Sequence, residues 1–197
     1  GWKRLAFLIQ DEEYGRGVAN GLQAGVKQWG GEVVFQKQFP AGEKEFRSYL
    51  TEIQGAKPDA VVGTGFGMSH VSILKQGREL GLFPAARYLA PCTISEINFL
   101  TLAGADGDGA IGTMEFLTGT KSKSLADFLG RWTAAYGSEV PVDHYAALNY
   151  ESVQVLARAI KSGGATPAGV LKGLASLKKF QSLDGSVVSM TAAREVQ

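Results

Sequence analysis

The chain has 197 residues, of which 45% are hydrophobic and 20% are charged, a composition typical of a globular protein that buries a substantial core. Twenty Lys and Arg residues against 19 Asp and Glu leave a formal charge of +1, so no electrostatic field favours nucleic acid or an anionic membrane as partner. The one cysteine, Cys92, excludes an internal disulfide and a cysteine-rich metal site. No apolar run reaches the roughly 18 residues that a membrane span needs.

The first part of the chain repeats one unit, in which an apolar run is followed by a helical pattern that closes on glycine. Continuous apolar runs are typical of parallel strands that helices cover on both faces. The sequence therefore predicts an α/β lobe over residues 1–117, with a doubly wound, parallel five-stranded sheet. The predicted strands are 4–10, 32–37, 59–63, 87–90 and 110–116, and the predicted helices are 14–29, 46–55, 69–81 and 95–102.

Helix ends and faces in this lobe carry their own signals. The residues Val18, Leu22, Val26 and Trp29 recur at helical spacing, which predicts one apolar stripe facing the sheet. Carboxylates at 11–13 precede the first helix, where they cap it and complement its dipole. Ser69 is the predicted N-cap of the third helix.

The alternation stops after residue 117. A polar segment, 118–124, precedes three helical patterns without strands between them, which begin near Leu125, Tyr145 and Thr166. A turn at Asp184 and a short strand over 186–190 follow. The sequence thus predicts a lobe boundary at residue 118 and a mainly helical segment over 118–197.

The predicted topology fixes where a binding site lies. In an open parallel sheet, ligands bind at the carboxyl ends of the strands. These ends correspond here to residues 11–15, 40–45, 64–69 and 91–93.

Several kinds of chemistry find little support. The run from Gly63 to Met68 is glycine-rich and lies between a strand and a helix, but Met68 stands where a dinucleotide fingerprint needs glycine, and no P-loop Lys-Ser/Thr pair follows. His70 and His144 lack partners at metal-ligand spacing and are expected to be surface or capping residues. Cys92 follows a strand end, where a nucleophile assisted by His70 is an alternative to a buried or pocket-lining thiol. The sequence predicts no cofactor, no metal and no enzymatic activity.

The order and spacing of many short segments resemble a known family. Segments 4–15, 29–34, 40–46, 57–62 and 74–82, and then 88–91, 102–104, 145–150 and 165–174, are similar to the second lobe and return segment of type I periplasmic binding proteins. The resemblance is to the group that binds branched-chain amino acids (Leu/Ile/Val) for ABC importers. It implies that the first lobe is absent and that the chain is either a fragment or a deliberate half of a substrate-binding protein.

The resemblance also implies ligand-binding residues. Tyr14 matches the tyrosine that faces the cleft beside the first helix, and Phe66 or Gly67 falls where amino-acid binders offer an aromatic ring. Cys92 falls where those binders place an acidic residue for the ammonium group of the ligand, and a thiol cannot neutralise a buried cation. The thiol in place of an acidic residue favours a carboxylate ligand without an amine, aromatic in character. The expected site contains Tyr14, Phe66, Gly67, Met68, Cys92 and Thr93.

The leading functional hypothesis is a solute-binding component of an ABC importer. It captures a small carboxylate or amino-acid-like ligand between two lobes and delivers it to a membrane permease. The alternatives are a ligand-sensing domain of the same fold in a signalling protein, and an α/β enzyme that works through Cys92. A periplasmic or extracellular location is expected, with the signal peptide outside this chain.

Self-association through 118–197 is also expected. Two apolar stripes in this segment need to be covered by other protein surface: one includes Leu125 and Phe128, and the other runs from Val170 to Leu177.

Overall fold

A computed structural model describes residues 1–114, 119 and 121–191. The chain forms two compact units, Gly1–Met114 and Glu115–Gln197. The lobe boundary predicted at residue 118 and the last part of the fifth predicted strand, 115–116, lie outside the described residues.

A parallel five-stranded sheet forms the centre of the first unit, and the predicted fold class is confirmed. Its strands lie in the order β2-β1-β3-β4-β5. They are β1 (Arg4–Gln10), β2 (Glu32–Phe39), β3 (Ala60–Thr64), β4 (Arg87–Ala90) and β5 (Ile111–Gly112). The chain steps from β1 to one side and then crosses back to the other side, so right-handed crossovers place helices on both faces of the sheet.

The helices of the first unit cover the sheet unequally. They are α1 (Glu13–Gln28), α2 (Arg47–Ala56), α3 (Gly67–Glu79) and α4 (Ile97–Ala103). Alternate residues of a strand point to opposite faces. Phe7 and Ile9 pack with Ala19 of α1 on one face, whereas Ala6 and Leu8 join the larger cluster that contains residues of α2, α3 and α4 on the other.

The apolar stripe predicted for α1 is wrong in part. Leu22 is 39% exposed and Trp29, which follows the helix, is 76% exposed. The buried face includes the predicted Val26, but otherwise runs through Gly15 and Ala19. A Cβ atom at Gly15 would lie 2.4 Å from the carbonyl oxygen of Gln10, so the start of α1 approaches the sheet through small residues, and Leu22 turns outward.

The second unit is mainly helical. It contains α5 (Lys123–Tyr136), α6 (His144–Gly163) and α7 (Pro167–Ala175), followed by an antiparallel pair, β6 (Phe180–Gln181) and β7 (Val187–Val188). The predicted short strand is therefore present, and β6 is an element that the sequence analysis missed. A small core joins α5, α6 and the turn before β7 through Leu125, Phe128, Ala147 and Leu183.

The uncovered apolar surface of this unit differs from the prediction. Leu125 and Phe128, expected to need a cover from outside, are buried within the unit. Tyr136 and Leu171, one residue from each predicted stripe, are exposed as expected. Further exposed apolar side chains lie on α6, where Val153, Leu156 and Ile160 share one helix face. Across the described ranges, no helix has both the length and the apolar character that would let it cross a membrane.

Candidate functional site

The carboxyl ends of the strands bring together three predicted site residues. The rings of Tyr14 and Phe66 stack with their centroids 5.2 Å apart and an interplanar angle of 29°. The hydroxyl oxygen of Tyr14 lies 3.9 Å from Sγ of Cys92. These residues follow β1, β3 and β4, so the shared edge is a direct result of the parallel sheet. Phe66 remains 44% exposed and offers an accessible aromatic face.

The start of α1 fixes the position of Tyr14. Glu12 is the N-cap of this helix, and its carboxylate accepts hydrogen bonds from the backbone N–H groups of Tyr14 and Gly15, at 3.3 and 2.7 Å. The predicted capping role of this acidic segment thus belongs to Glu12. A carboxylate here also complements the positive end of the helix dipole. The cap holds Tyr14 over the strand ends.

The third helix begins two residues earlier than predicted. Gly67 is its first residue and Phe66 its N-cap, in an extended conformation with no capping side chain. Ser69, the predicted cap, instead donates a hydrogen bond to the carbonyl of Phe66, at 2.9 Å, and lies 3.2 Å from the side-chain oxygen of Gln10. Ser69 therefore ties the β3–α3 turn to the end of β1. Met68, the next predicted site residue, is exposed.

Protein side chains account for the glycines between the end of β3 and the start of α3. A Cβ at Gly63 would lie 2.0 Å from the hydroxyl oxygen of Tyr88, and one at Gly65 would lie 2.9 Å from the side-chain oxygen of Gln10. A Cβ at Gly67 would lie 3.2 Å from Oε2 of Glu96. The space beside these glycines is thus taken by the protein itself, and a carboxylate at the start of α3 opposes a phosphate group there. The arrangement does not favour the dinucleotide alternative.

A groove of about 610 Å³ adjoins Phe66 on the same edge. Its apolar side is formed by Phe66 and Met68, and residues of the loop after β2, of the end of β1 and of the first turns of α3 line the rest. The lining residues are Gln10, Gly42, Glu43, Lys44, Phe66, Met68, Ser69 and Ser72. The volume falls in the range of small-molecule sites, which is roughly 300–1,000 Å³.

Thr93 lies beneath this edge rather than on it. The residue is 1% exposed, and its hydroxyl oxygen is 2.9 Å from Nε2 of His70. The same nitrogen lies 3.1 Å from the carbonyl oxygen of Gly65, and Nδ1 lies 2.6 Å from the hydroxyl of Tyr88. Because a carbonyl only accepts, Nε2 carries the proton and Nδ1 accepts from Tyr88. The buried His70 ring therefore links the turn after β3 to the turn after β4 through hydrogen bonds.

The expectation that both histidines lie at the surface or cap a helix is wrong. His70 and His144 are each 1% exposed. Burial lowers the pKa of His70 from 6.5 to about 4, which makes its ring neutral at pH 7. Burial also raises the pKa of Tyr88 above its usual range. Since both nitrogens of His70 are engaged, the geometry does not favour His70 as the base of a Cys92 nucleophile.

Glu96 and Gln10 are the site features that the sequence analysis missed. Glu96 is the N-cap residue of α4 and lies four residues beyond Cys92, and its carboxylate approaches Gly67. Gln10 ends β1 and contacts both Ser69 and the position of Gly65. A polar residue closing an apolar strand could have identified Gln10. Within the part of the chain that the structure describes, no group of three or more His, Cys, Asp and Glu side chains could hold a metal ion.

Comparison with known protein sequences gives one consistent result. The profile of a family described as "Periplasmic binding protein" matches residues 1–196. The leucine-specific-binding protein of Salmonella typhimurium is 26% identical over 175 residues, which are 87% of this chain and 46% of that protein. The Leu/Ile/Val-binding protein of Escherichia coli K12 is 28% identical over 111 residues, 56% of this chain and 30% of that protein. The chain spans about half the length of the curated relatives it matches.

Solved structures share the fold. A leucine binding protein from Thermotoga maritima has a TM-score of 0.89 at 21% identity, over 100% of this chain and 55% of that chain. A branched-chain amino-acid substrate binding protein from Streptococcus pneumoniae, in complex with isoleucine, has a TM-score of 0.81 at 27% identity, over 98% of this chain and 54% of that one. A solute binding protein from R. palustris, in complex with benzoate, has a TM-score of 0.82 at 23% identity, over 100% of this chain and 53% of that one.

Proposed function

Because this chain belongs to the periplasmic binding protein family, we propose that it supplies one wall of the ligand cleft in the solute-binding component of an ABC importer. The observation that carries the proposal is the convergence of Tyr14, Phe66 and Cys92 at the carboxyl edge of the sheet. The stacked rings provide an apolar, partly exposed surface, and the polar loops around them provide hydrogen-bonding groups. This combination is typical of small-molecule sites.

The ligand that this wall fits best is a small amino acid or an amino-acid-like molecule. Cys92 carries no charge to pair with an ammonium group, which by itself favours a carboxylate without an amine. Glu96 favours a ligand with an ammonium group instead, because its carboxylate approaches Gly67, the residue after Phe66. A negative group there attracts an ammonium group and repels a ligand carboxylate. Relatives that bind leucine and a structural neighbour that holds isoleucine support the same class.

Binding by this chain alone is expected to be weak. A micromolar ligand needs about −8 kcal/mol of binding free energy, and a cleft obtains much of it by burying the ligand between two walls. The chain spans about half the length of its relatives, and the aromatic pair at its edge is partly open. We therefore expect tight binding only where a second wall is present, as in a protein of the relatives' full length, in which a hinge motion would close the two walls over the ligand.

The proposed partner and location follow from the family. The ligand-loaded protein would dock on the permease of the importer, in the periplasm or outside the cell. Structural neighbours include ABC transporter solute binding proteins, which supports this assignment.

The test is calorimetry on the full reading frame that contains this sequence, with leucine, isoleucine, phenylalanine and benzoate as ligands. We expect submicromolar to micromolar binding of one or more amino acids and weaker binding of benzoate. Phe66→Ala should weaken binding about tenfold or more, since it removes buried aromatic contact. Glu96→Gln should weaken amino acids and spare benzoate.

Trp29→Ala is the matched control, because this ring is exposed and lies at the far end of α1. Unchanged affinity in this variant is expected. Equal affinity of wild type and Phe66→Ala for every ligand that binds would contradict the assigned wall. A wild-type protein that prefers benzoate to every amino acid would contradict the amino-acid class while leaving the wall in place.

A further inference from the structure

A second pocket, distinct from the strand edge, lies within the second unit. It has a volume of about 530 Å³ and opens between α5 and α6. Its lining residues are Phe128, Arg131, Trp132, Tyr136, Ala146, Tyr150 and Gln154. Four of these seven side chains are aromatic and only one is charged, so the pocket combines an apolar wall with a single positive group.

The aromatic rings form a connected wall. The centroids of Trp132 and Tyr136 are 4.5 Å apart, those of Phe128 and Trp132 are 6.0 Å apart, and those of Phe128 and Tyr150 are 4.8 Å apart. The indole N–H of Trp132 donates to the carbonyl of Val140, at 2.9 Å, which fixes the ring. Phe128 is buried at the base of the wall. A planar ligand would meet a surface that is already ordered.

Arg131 supplies the charge of the pocket. Its guanidinium donates a hydrogen bond to the hydroxyl of Tyr150, at 2.6 Å, and its Cζ lies 5.4 Å from the centre of the Tyr150 ring. Throughout residues 1–114 and 121–191, the structure gives Arg131 no ion pair with a carboxylate. A guanidinium has five N–H donors and matches a carboxylate bidentately. Most of these donors are therefore available to an anion.

We propose that this pocket binds a small aromatic carboxylate. The carboxylate accepts hydrogen bonds from the guanidinium of Arg131 and from the hydroxyl of Tyr150, which accepts from Arg131 and can still donate. The ring of the ligand lies against Trp132 and Tyr136. One positive group suits a monoanion better than a phosphate ester, and the aromatic wall favours a ring over an aliphatic acid. This site is independent of the wall proposed at Tyr14 and Phe66.

The experiment uses phenylacetate as the probe and phenylacetamide as its neutral match. The chain has three tryptophans, so replacing the exposed Trp2 and Trp29 by Phe leaves Trp132 as the reporter. We expect a saturable change in its fluorescence, with a dissociation constant of about 1 mM or lower, and at least about tenfold weaker binding of phenylacetamide. No saturable change with phenylacetate up to about 10 mM would overturn the proposal.

Variants of the two polar groups separate this site from a general aromatic surface. Arg131→Gln should weaken phenylacetate about tenfold or more and leave phenylacetamide unchanged. Tyr150→Phe should give a smaller loss in the same direction. Arg158→Gln is the matched control, because Arg158 also lies over a ring, that of Phe180, at 4.9 Å, but does not line the pocket. Equal weakening by Arg158→Gln and Arg131→Gln would refute the assignment.

Two further measurements distinguish loss of the guanidinium from loss of the fold. Circular dichroism must show wild-type helical content for Arg131→Gln, and Arg131→Lys, which keeps the charge but loses the planar fork, should bind between wild type and Arg131→Gln. Phe66→Ala should leave the Trp132 response unchanged. A response that disappears in Phe66→Ala would contradict a separate small-molecule site here.

Discussion

The two units of this chain bury their apolar residues in different ways. In the first unit, the sheet has helices on both faces, and the larger cluster is continuous from Phe39 and Phe46 to Phe99 and Ala103. In the second unit, the core around Leu125 and Phe128 is small, and a face of α6 stays exposed. A sheet offers each helix a broad surface to cover, whereas helices alone must find their cover in one another. The first unit therefore has the features of a self-sufficient fold, and the second unit depends more on close contacts between its helices.

The largest effect is expected from Gly63→Ala in the first unit. The new Cβ would lie 2.0 Å from the hydroxyl oxygen of Tyr88 and 2.8 Å from its Cζ, so it cannot fit unless the buried tyrosine moves. We expect a loss of about 3 kcal/mol or more of unfolding free energy, at the upper end of overpacking costs. Denaturant unfolding of the wild type and of Gly63→Ala measures this difference in free energy.

Two variants make that result specific. Gly55→Ala, in α2 with no atom within 4 Å of the new Cβ, should be neutral or slightly stabilising because alanine favours the helix. Adding Tyr88→Phe to Gly63→Ala removes the closest atom and should restore part of the loss. A Gly63→Ala protein as stable as Gly55→Ala would contradict the packing described here.

Acid should weaken the first unit through His70. The folded pKa of about 4 lies below the ordinary 6.5, so between these values the unfolded chain binds a proton that the folded chain excludes. The stability that neutral, buried His70 contributes is therefore fully present above pH 6.5. As the pH drops to 4, the free energy of unfolding falls by about 3 kcal/mol. Urea unfolding of a Trp132→Phe variant, in which Trp2 and Trp29 report on the first unit, measures this.

His70→Gln is the reference for that measurement, because glutamine does not titrate. The variant should be less stable at pH 7 and should lose much less stability between pH 6.5 and 4. Parallel pH profiles for wild type and His70→Gln would show that other groups cause the acid sensitivity.

A smaller loss is expected where α6 and α7 touch in the second unit. A Cβ at Gly173 would lie 2.1 Å from the carbonyl oxygen of Ala159, so the two helix backbones are in direct contact. Gly173→Ala should push them apart and cost about 2 kcal/mol, with faster amide exchange in α6 and α7 and little change in the sheet. Gly130→Ala, in α5 with open space around it, is the control. Equal protection of the α6 and α7 amides from exchange in both variants would argue against close packing of these helices.

The exposed face of α6 should matter least for folding and most for association. Self-association through 118–197 stays a prediction, and the structure directs it to Val153 and Leu156. The double change Val153→Gln and Leu156→Gln should alter unfolding by no more than about 0.5 kcal/mol, yet shift the chain toward monomer in sedimentation velocity. Leu102→Gln, at an exposed position of α4, should not. A wild-type chain that is monomeric at high micromolar concentration would end this prediction.

Sequence periodicity predicted the sheet because each strand carries its own apolar run. The edge where Tyr14, Phe66 and Cys92 meet followed from strand direction alone. The predictions that were wrong concern tertiary packing. Nothing local shows that α1 packs through Gly15 and Ala19 rather than through Leu22, since that depends on how closely the helix approaches the strand. The burial of His70 likewise depends on Tyr88, which lies 18 residues away in the chain.

The three glycines between the end of β3 and the start of α3 limit which substitutions natural variation can accept. Each has a distant neighbour in the space where a side chain would begin: Tyr88 for Gly63, Gln10 for Gly65 and Glu96 for Gly67. A larger residue at one of these positions is tolerated only if its neighbour becomes smaller or moves. Across homologues, a change at Gly63 should therefore coincide with loss of the hydroxyl at position 88, which makes these pairs candidates for joint rather than single replacement when the binding wall is redesigned.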